Sequence, residues 1–360
     1  MKVVFAHLLN DYSGSPLILS SIIKGVREKG YEVDLFTCGE NEGFLSNLEV
    51  NYYHFPYRFF VNKYVRLVAF MSSQMVLFLK VLFRYWNQKD VIIYVNTLLP
   101  FGASLAGRIL NKRVVYHIHE ISIKPPAFKT LLKTVAEKTA NTAIYVSNDL
   151  MQQEKLPSVA GKVVYNGISN DFIKKAVAGR NSKIKDGFRI LMLCSLKNYK
   201  GVPEFVGLSK RLPKYEFELV VNATSTEIKN YFGTVPYHEN LTIYPVQKDV
   251  HPFYQRADLV LNLSHPETWV ETFGMTILEA MYYGIPCIVP PVGGPIELID
   301  DGKEGFRVDQ RDLGKVIEKI NLIATDKALY NKLSDSALQK AQAFTIENMI
   351  HGVLNAINGK

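Results

Sequence analysis

Residues that could do chemistry are concentrated in one stretch of this chain, HPETWVETFGMTILEAMYYGIPCIVPP, residues 265–291. It holds Glu267, Glu271 and Glu279 in an otherwise mostly apolar run. A carboxylate taken out of water is costly unless it meets a partner. Glu271 and Glu279 flank TFGMT, eight residues apart. The preceding DLVLNLS reads as a strand, and a helix is expected from about Phe273–Met275 to Gly284. Glu271 then lies in the loop before the helix and Glu279 in its second turn.

Such a pair brackets a helix N-terminus, whose free N–H groups and positive dipole end attract a phosphate. Glu279 could then accept from vicinal hydroxyls such as a ribose. Glu271 could accept from hydroxyls on the group that hangs from the phosphates. This reading is a nucleotide-sugar site. A plainer one is equally open: TILE (276–279) fits a capping box, with Thr276 as N-cap and Glu279 reaching back to it, and Glu271 in solvent.

Three other loops offer polar groups. SLKNYKG (195–201) follows a strand and places Lys197 and Lys200 where a phosphate would arrive, as mobile point charges. By themselves they read as solvated loop lysines. DYSGSP follows the first strand and opens a helix at Gly14. It lacks the G-x-G-x-x-G fingerprint, which weakens any NAD-dehydrogenase reading. YHIHE (116–120) ends a strand with His119 and Glu120. The chain has no H-x-x-H, HExxH or D-x-D, so a tightly bound metal is not expected.

The elements that must position these residues alternate along the whole chain. Apolar strands KVVFAHLL, YEVDLFT, EVNYYHF, DVIIYVN, RVVYHIH, TAIYVS and KVVYN come first. Helices fall between them, the first with Ser15 as N-cap, Pro16 at its first position and Gly30 at its stop. Others are expected around 100–111, 128–140 and 147–154. ISNDFIKKAVAGRNSKIKDG (168–187) reads as a polar interdomain linker. The pattern restarts with strands FRILMLCSL, YEFELVVN, LTIYPV, DLVLNLS and PCIVPP, and helices near 202–212, 224–232, 250–257 and 274–284. Continuous apolar strands between helices imply α/β architecture with parallel sheets. The expectation is two Rossmann-like domains, residues 1–170 and 185–344, facing across a cleft. A C-terminal helix at about 345–360 would pack back on the first. Ligands of such sheets bind beyond the C-terminal strand ends.

The length of 360 residues fits two domains, and 48% hydrophobic residues supply two cores. The net charge of +8 is uneven. Residues 1–170 carry 19 Lys and Arg against 12 Asp and Glu, while the remainder is nearly balanced. That suggests an acidic partner, or simply a solvated basic surface. No recognition helix or stacking motif supports nucleic acid. Cys38, Cys194 and Cys287 form no CxxC pair and read as buried free thiols in a reducing compartment. The N-terminal apolar run is too short for a signal peptide and reads as a strand. Residues 63–86 form a long apolar helix flanked by Arg58, Lys63, Arg66, Lys80, Arg84 and Lys89. Its charge-free centre, Leu67 to Leu79, is too short to span a bilayer. Buried packing is the expectation, with contact at an anionic membrane surface the alternative.

Taken together, the motifs resemble the family 4 glycosyltransferases, retaining enzymes of the GT-B fold. HPETWVETFGMTILEAMYYGIPCIVPPVGGPIELIDDGKEGF matches their signature of a glutamate, seven residues, and a second glutamate, here Glu271 and Glu279. The loop at Gly14, HIHE at 117–120, VSNDL at 146–150, VVYNGIS at 163–169 and SLKNYKG extend the match along nearly the whole chain. The resemblance implies a nucleoside-diphosphate sugar of the UDP or GDP type as donor, no cofactor and no metal. It implies a glycan or lipid-linked acceptor, in bacterial-type surface polysaccharide or glycolipid synthesis. It implies that Glu279 binds the ribose and Glu271 the transferred sugar. The amides of Phe273, Gly274, Met275 and Thr276 would hold sugar and diphosphate, and Gly14 would let its loop approach. Lys200 would neutralise the leaving diphosphate, and His119 would face the reacting sugar. Retention would follow from attack on the leaving-group face. The family usually has an arginine five residues before the lysine; here that position is Ser195, leaving Lys200, Lys197 and helix amides to the task. A weakly catalytic scaffold or a nucleotide-sugar epimerase are the alternatives. The expected location is the cytoplasm, with peripheral attachment to the inner membrane face.

Overall fold

The computed structural model describes residues 1–38, 42–180, 187–233 and 237–359. The chain divides into two units, Met1–Gly167 with Ile346–Lys360, and Ile168–Thr345.

The first unit is built on a parallel sheet of seven strands. They are β1 (Lys2–Leu9), β2 (Glu32–Cys38), β3 (Asn51–Phe55), β4 (Val91–Asn96), β5 (Arg113–Ile118), β6 (Thr142–Tyr145) and β7 (Ala160–Val163). Their order is β3-β2-β1-β4-β5-β6-β7. Val3 pairs with Val33 on one side and Ile92 on the other. The central strands are continuously apolar because both faces are covered: every residue of β4, VIIYVN, is buried. The helices are α1 (Gly14–Glu28), α2 (Lys63–Tyr85), α3 (Phe101–Ile109), α4 (Pro126–Thr139) and α5 (Asn148–Glu154). The N-cap of α1 is Ser13, not Ser15. The helix starts early because Gly14 and Ser15 already adopt helical geometry ahead of Pro16. Gly30, at φ 83°, ends it in the left-handed turn that glycine favours.

The second unit opens with α6 (Asn170–Arg180). This overturns the linker reading of 168–187 over most of its length; residues 181–186 lie outside the described residues. The segment is polar because it is a surface helix, held through Phe172, whose ring lies 4.4 Å from that of His251. The strands β8 (Arg189–Cys194), β9 (Glu216–Val221), β10 (Leu241–Tyr244), β11 (Leu259–Leu261), β12 (Cys287–Val289) and β13 (Gly305–Arg307) are all parallel. Their order is β10-β9-β8-β11-β12-β13. Between them lie α7 (Val202–Arg211), α8 (Ser225–Phe232), α9 (His251–Arg256), α10 (Met275–Tyr282) and α11 (Pro295–Leu298). Helices α12 (Leu313–Thr325) and α13 (Lys327–Ala341) follow. Side chains cap several of these, with Thr224 and Glu227 forming a full capping box on α8. One apolar core runs from Ile190 and Phe217 through Leu261 to Ile320.

The chain then returns to the first unit as α14 (Ile346–Ile357). Its face of Met349, Ile350, Val353, Ala356 and Ile357 is buried. Gly25 of α1 and Gly352 of α14 mark the close approaches: an added Cβ would stand 2.6 Å from Ile350 and 2.9 Å from Val164. Cys38, Cys194 and Cys287 are free, with Cys194 only half-buried.

Each sheet has one point where the strand order reverses, between β1 and β4 and between β8 and β11. Loops leaving the C-terminal ends of strands at such a point diverge to opposite faces and leave room for a ligand.

Candidate active site

At the reversal in the second unit, the loops after β8 and β11 meet. After β8 the chain makes a short 3-10 turn, Asn198–Lys200, closed by Gly201 at φ 81°. A Cβ on Gly201 would stand 2.3 Å from Leu263 Cβ and 2.4 Å from the Leu263 carbonyl oxygen. Glycine is therefore required both by its φ and by the contact between the loops. That contact brings Lys200 to the β11 loop, where its Nζ donates to Glu271 Oε2 at 2.7 Å. The pair is largely shielded from water, with 15% and 22% of the two side chains exposed. Nζ also lies 5.2 Å from the ring centre of Trp269, which stacks on Tyr199.

Glu271 is held from below by the dipeptide Gly293–Gly294. The Gly294 amide donates to the Glu271 carbonyl at 2.8 Å. A Cβ on either glycine would press into backbone, 2.5 Å from the Glu271 oxygen or 2.3 Å from the Thr272 oxygen.

The start of α10 lies within the expected Phe273–Met275 and lacks the capping box of the plainer reading. Gly274, at φ 105°, is the N-cap, which makes Thr276 the second helical residue rather than the cap. The Glu279 carboxylate instead receives the Tyr254 hydroxyl at 2.6 Å. Among the described residues, the Met275 and Thr276 amides find no acceptor in the chain. A helix start with unmet N–H groups is a ready anion site. Phe273 is buried against Phe344, ring centres 6.0 Å apart, which fixes the backbone entering the helix. Burial pushes the Glu279 carboxyl up to about 7, and the Tyr254 hydrogen bond offsets part of that rise.

Other sequence candidates fall into place less centrally. Ser195 is half-buried, and its carbonyl accepts from the Lys197 amide at 2.8 Å. Lys197 is exposed on the same loop and makes no ion pair with Glu271. Glu267 is exposed and pairs with Arg311, which also holds Asp309 at 2.9 Å. It belongs to a surface ion network and not to the site.

The first unit gathers its own polar cluster at its sheet reversal. His119 follows β5, and its Nε2 lies 3.0 Å from Asn96 Oδ1 at the end of β4. Asn96 Nδ2 lies 3.0 Å from His7 Nδ1 on β1. Tyr94 Oη is 2.8 Å from His117 Nδ1, and the His117 and His119 rings are 4.1 Å apart. Burial holds all three histidines well below the usual range and therefore neutral, with their mutual repulsion adding to the effect at His119. Burial also raises Glu120 to about 7. Gly14 is the first residue of α1, and no atom lies within 4 Å of where its Cβ would be, so chain packing does not demand a glycine.

Lys200, Glu271, Glu279 and the 273–276 backbone are thus brought together within one unit. Sequence reasoning passed over Tyr254, Trp269, Asn96 and His7. Asn96 left a readable signal, a polar residue ending an otherwise apolar strand at a sheet reversal. Tyr254 left none, since its contact with Glu279 is made across the fold. Among the described residues, no group of three His, Cys, Asp or Glu side chains is arranged to hold a metal.

Comparisons with known proteins agree with this architecture. The model of glycosyl transferases group 1 matches residues 174–340, and that of glycosyltransferase family 4 matches residues 13–172. An uncharacterized 41.2 kDa protein in the cps region of Klebsiella pneumoniae is 26% identical over 70% of this chain and 74% of its own. The Anabaena protein HepE, solved in complex with UDP, superposes over the full length of both chains with TM-score 0.81 at 20% identity. The lipopolysaccharide outer core galactosyltransferase WaaB superposes over 100% of this chain and 99% of its own, with TM-score 0.73 at 18% identity. Both likenesses are of fold.

Proposed function

Because the chain belongs to the group 1 and family 4 glycosyltransferases and has the GT-B fold, we propose that it transfers a sugar from a uridine-diphosphate donor, with retention, to a glycan or lipid-linked acceptor of a bacterial surface polysaccharide. The observation that carries this reading is the Lys200–Glu271 contact beside the open start of α10. A cation, a carboxylate and unmet amides meet at the sheet reversal, and a sugar diphosphate needs those three. The uridine choice is supported by HepE, solved with UDP and with UDP-glucose. The acceptor class is supported by WaaB, a lipopolysaccharide outer core galactosyltransferase of the same fold.

In the reaction, the bond between the anomeric carbon and the β-phosphate oxygen breaks and the acceptor hydroxyl oxygen bonds to that carbon. The hydroxyl proton passes to the departing phosphate on the same face. Negative charge grows on the diphosphate, where Lys200 and the Met275 and Thr276 amides stabilise it. Glu279 binds the ribose hydroxyls, and Glu271 the hydroxyls of the transferred sugar. His119, kept neutral, offers a ring nitrogen to a sugar hydroxyl.

A thermal-shift screen of nucleotides and nucleotide sugars tests the proposal, since a ligand selective for the folded state raises the melting temperature. A uridine-diphosphate sugar should raise it in the wild type. Glu279→Ala should lose most of the shift, whereas Lys200→Ala should chiefly lose turnover. Unchanged shift and turnover in both variants would overturn the assignment, and a response to guanosine nucleotides alone would correct the base.

A further inference from the structure

The helix α2 is long and apolar enough to cross a membrane by length and composition, yet it is built into the first unit. Its inner face of Phe70, Gln74, Leu77, Val81 and Tyr85 is buried. Tyr85 donates to the buried Asp34 at 2.5 Å, and Gln74 Oε1 accepts from the Gly102 amide at 3.1 Å. A Cβ on Gly102 would lie 2.2 Å from the Gln74 carbonyl, so α2 and α3 touch backbone to backbone. Spanning a bilayer would tear the helix out of these contacts.

The expectation that α2 is a buried core helix fails on its outer face. Only 28% of its most apolar window is buried. Tyr64, Val68, Met71, Met75, Leu79, Phe83 and Trp86 recur at spacings of three and four residues and are all exposed. They form one apolar stripe along a helix about 35 Å long. The preceding loop adds Phe59 and Val61, the latter 92% exposed. A stripe of this size on a soluble surface marks an interaction site.

Charge selects the occupant. Residues 50–89 contain Arg58, Lys63, Arg66, Lys80, Arg84 and Lys89 and no acidic residue. Among the described residues, Arg58, Lys63 and Arg66 form no ion pair and lie instead over the rings of Phe60, Tyr64 and Phe59. A second copy of the chain docked on this stripe would bring two such cationic sets together. An anionic bilayer surface would instead take the apolar stripe at the acyl boundary and the cations at its headgroups. Aromatic rings at both ends, Tyr64 and Trp86, suit that depth.

We propose that α2 and the loop before it are a membrane-interface anchor, lying flat on an anionic leaflet without crossing it. Membrane contact through α2 is independent of the donor and of the reaction.

Flotation of the full chain with phosphatidylcholine vesicles, with and without about 30% phosphatidylglycerol, tests it at low and high salt. Binding is expected only with the anionic lipid and should weaken as salt rises. Replacing Arg58, Lys63 and Arg66 together by Gln should lower partitioning on the order of a hundredfold. Val68→Glu with Met75→Glu should lower it at least about tenfold, with the melting temperature and its nucleotide shift unchanged. Absence of binding to anionic vesicles, or binding indifferent to both sets of changes, overturns the anchor. So does a lipid-free dimer, seen by sedimentation, that the double Glu variant dissolves. Vesicle binding with no nucleotide shift would sink the enzymatic reading and leave the anchor standing.

Discussion

Lys200 Nζ and Glu271 Oε2, 71 residues apart in sequence, are 2.7 Å apart in space. The groups assigned to the diphosphate and to the sugar therefore neutralise one another before any donor arrives. On the proposed reading, a bound diphosphate would draw Lys200 away and so release Glu271 to accept from sugar hydroxyls.

Glu271→Gln removes the competing charge. Its affinity for free UDP should rise a few-fold, while the extra affinity gained from the attached sugar should fall by roughly tenfold, the worth of one charge-assisted hydrogen bond. Titration calorimetry with UDP and with the UDP-sugar side by side reads both numbers. Loss of both affinities together would show that the pair only holds the loops.

Glu279 sets a pH dependence. Its folded-state carboxyl is raised from 4.5 to about 7 by burial. The folded chain therefore binds more protons than the unfolded chain between those values, and this group's contribution to stability declines as pH rises through that window. Glu279→Gln should gain stability relative to wild type at pH above about 7, and that gain should vanish below about 4.5. Ribose hydroxyls prefer the ionised form, so wild-type nucleotide affinity should climb as pH passes about 7, with proton release seen by calorimetry in buffers of different ionisation heat. A flat affinity profile would remove Glu279 from the ribose.

Gly201→Ala should be costly without touching a ligand. The left-handed φ alone costs about 1–3 kcal/mol, and the new methyl would press on the Leu263 backbone. Chemical denaturation should show a loss at least that large, with turnover falling as Lys200 is displaced. The neighbouring Gly207→Ala, where no atom crowds the added Cβ, is the control expected to be neutral or slightly stabilising.

Ser195→Arg restores the cation that the resemblance leads one to expect. A second positive group at the leaving diphosphate should raise turnover by on the order of tenfold or more. Steady-state kinetics would show the gain in kcat rather than in KM if the charge acts on the transition state. No gain would mean that the helix amides and Lys200 already suffice.

Asn96 offers a fifth test. Its Oδ1 faces His119 Nε2, which places the hydrogen on that nitrogen and leaves Nδ1 as the acceptor. Asn96→Ala should lower kcat several-fold and shift the pH–rate profile, since His119 then loses its fixed tautomer. Asn96→Asp, whose carboxylate can only accept from Nε2–H, should recover more activity than Ala.

Much of this was legible in the sequence because the signals were periodic or local. Apolar runs such as VVFAHL and VIIYV announced buried parallel strands, and ETFGMTILEA announced a loop entering a helix between two carboxylates. What escaped were features decided by contact across the fold. Gly274 takes the cap that the plainer of the two readings gave to Thr276, because the loop enters through a left-handed residue. The 170–180 helix looked like a linker because few of its residues are buried. The outer stripe of α2 looked like core because hydrophobic periodicity reports an apolar face and not whether anything covers it.

The return of α14 to the first unit has a consequence for how the protein is made. Residues 346–359 leave the ribosome only after the whole second unit, yet Ile350 and Gly352 fill the seams beside Gly25 and Val164. Until then the first unit stands with an open apolar flank. A fragment cut at Gly167 would carry that flank permanently, so an expressible first unit requires residues 346–359 to be spliced back by a linker or supplied as a separate peptide.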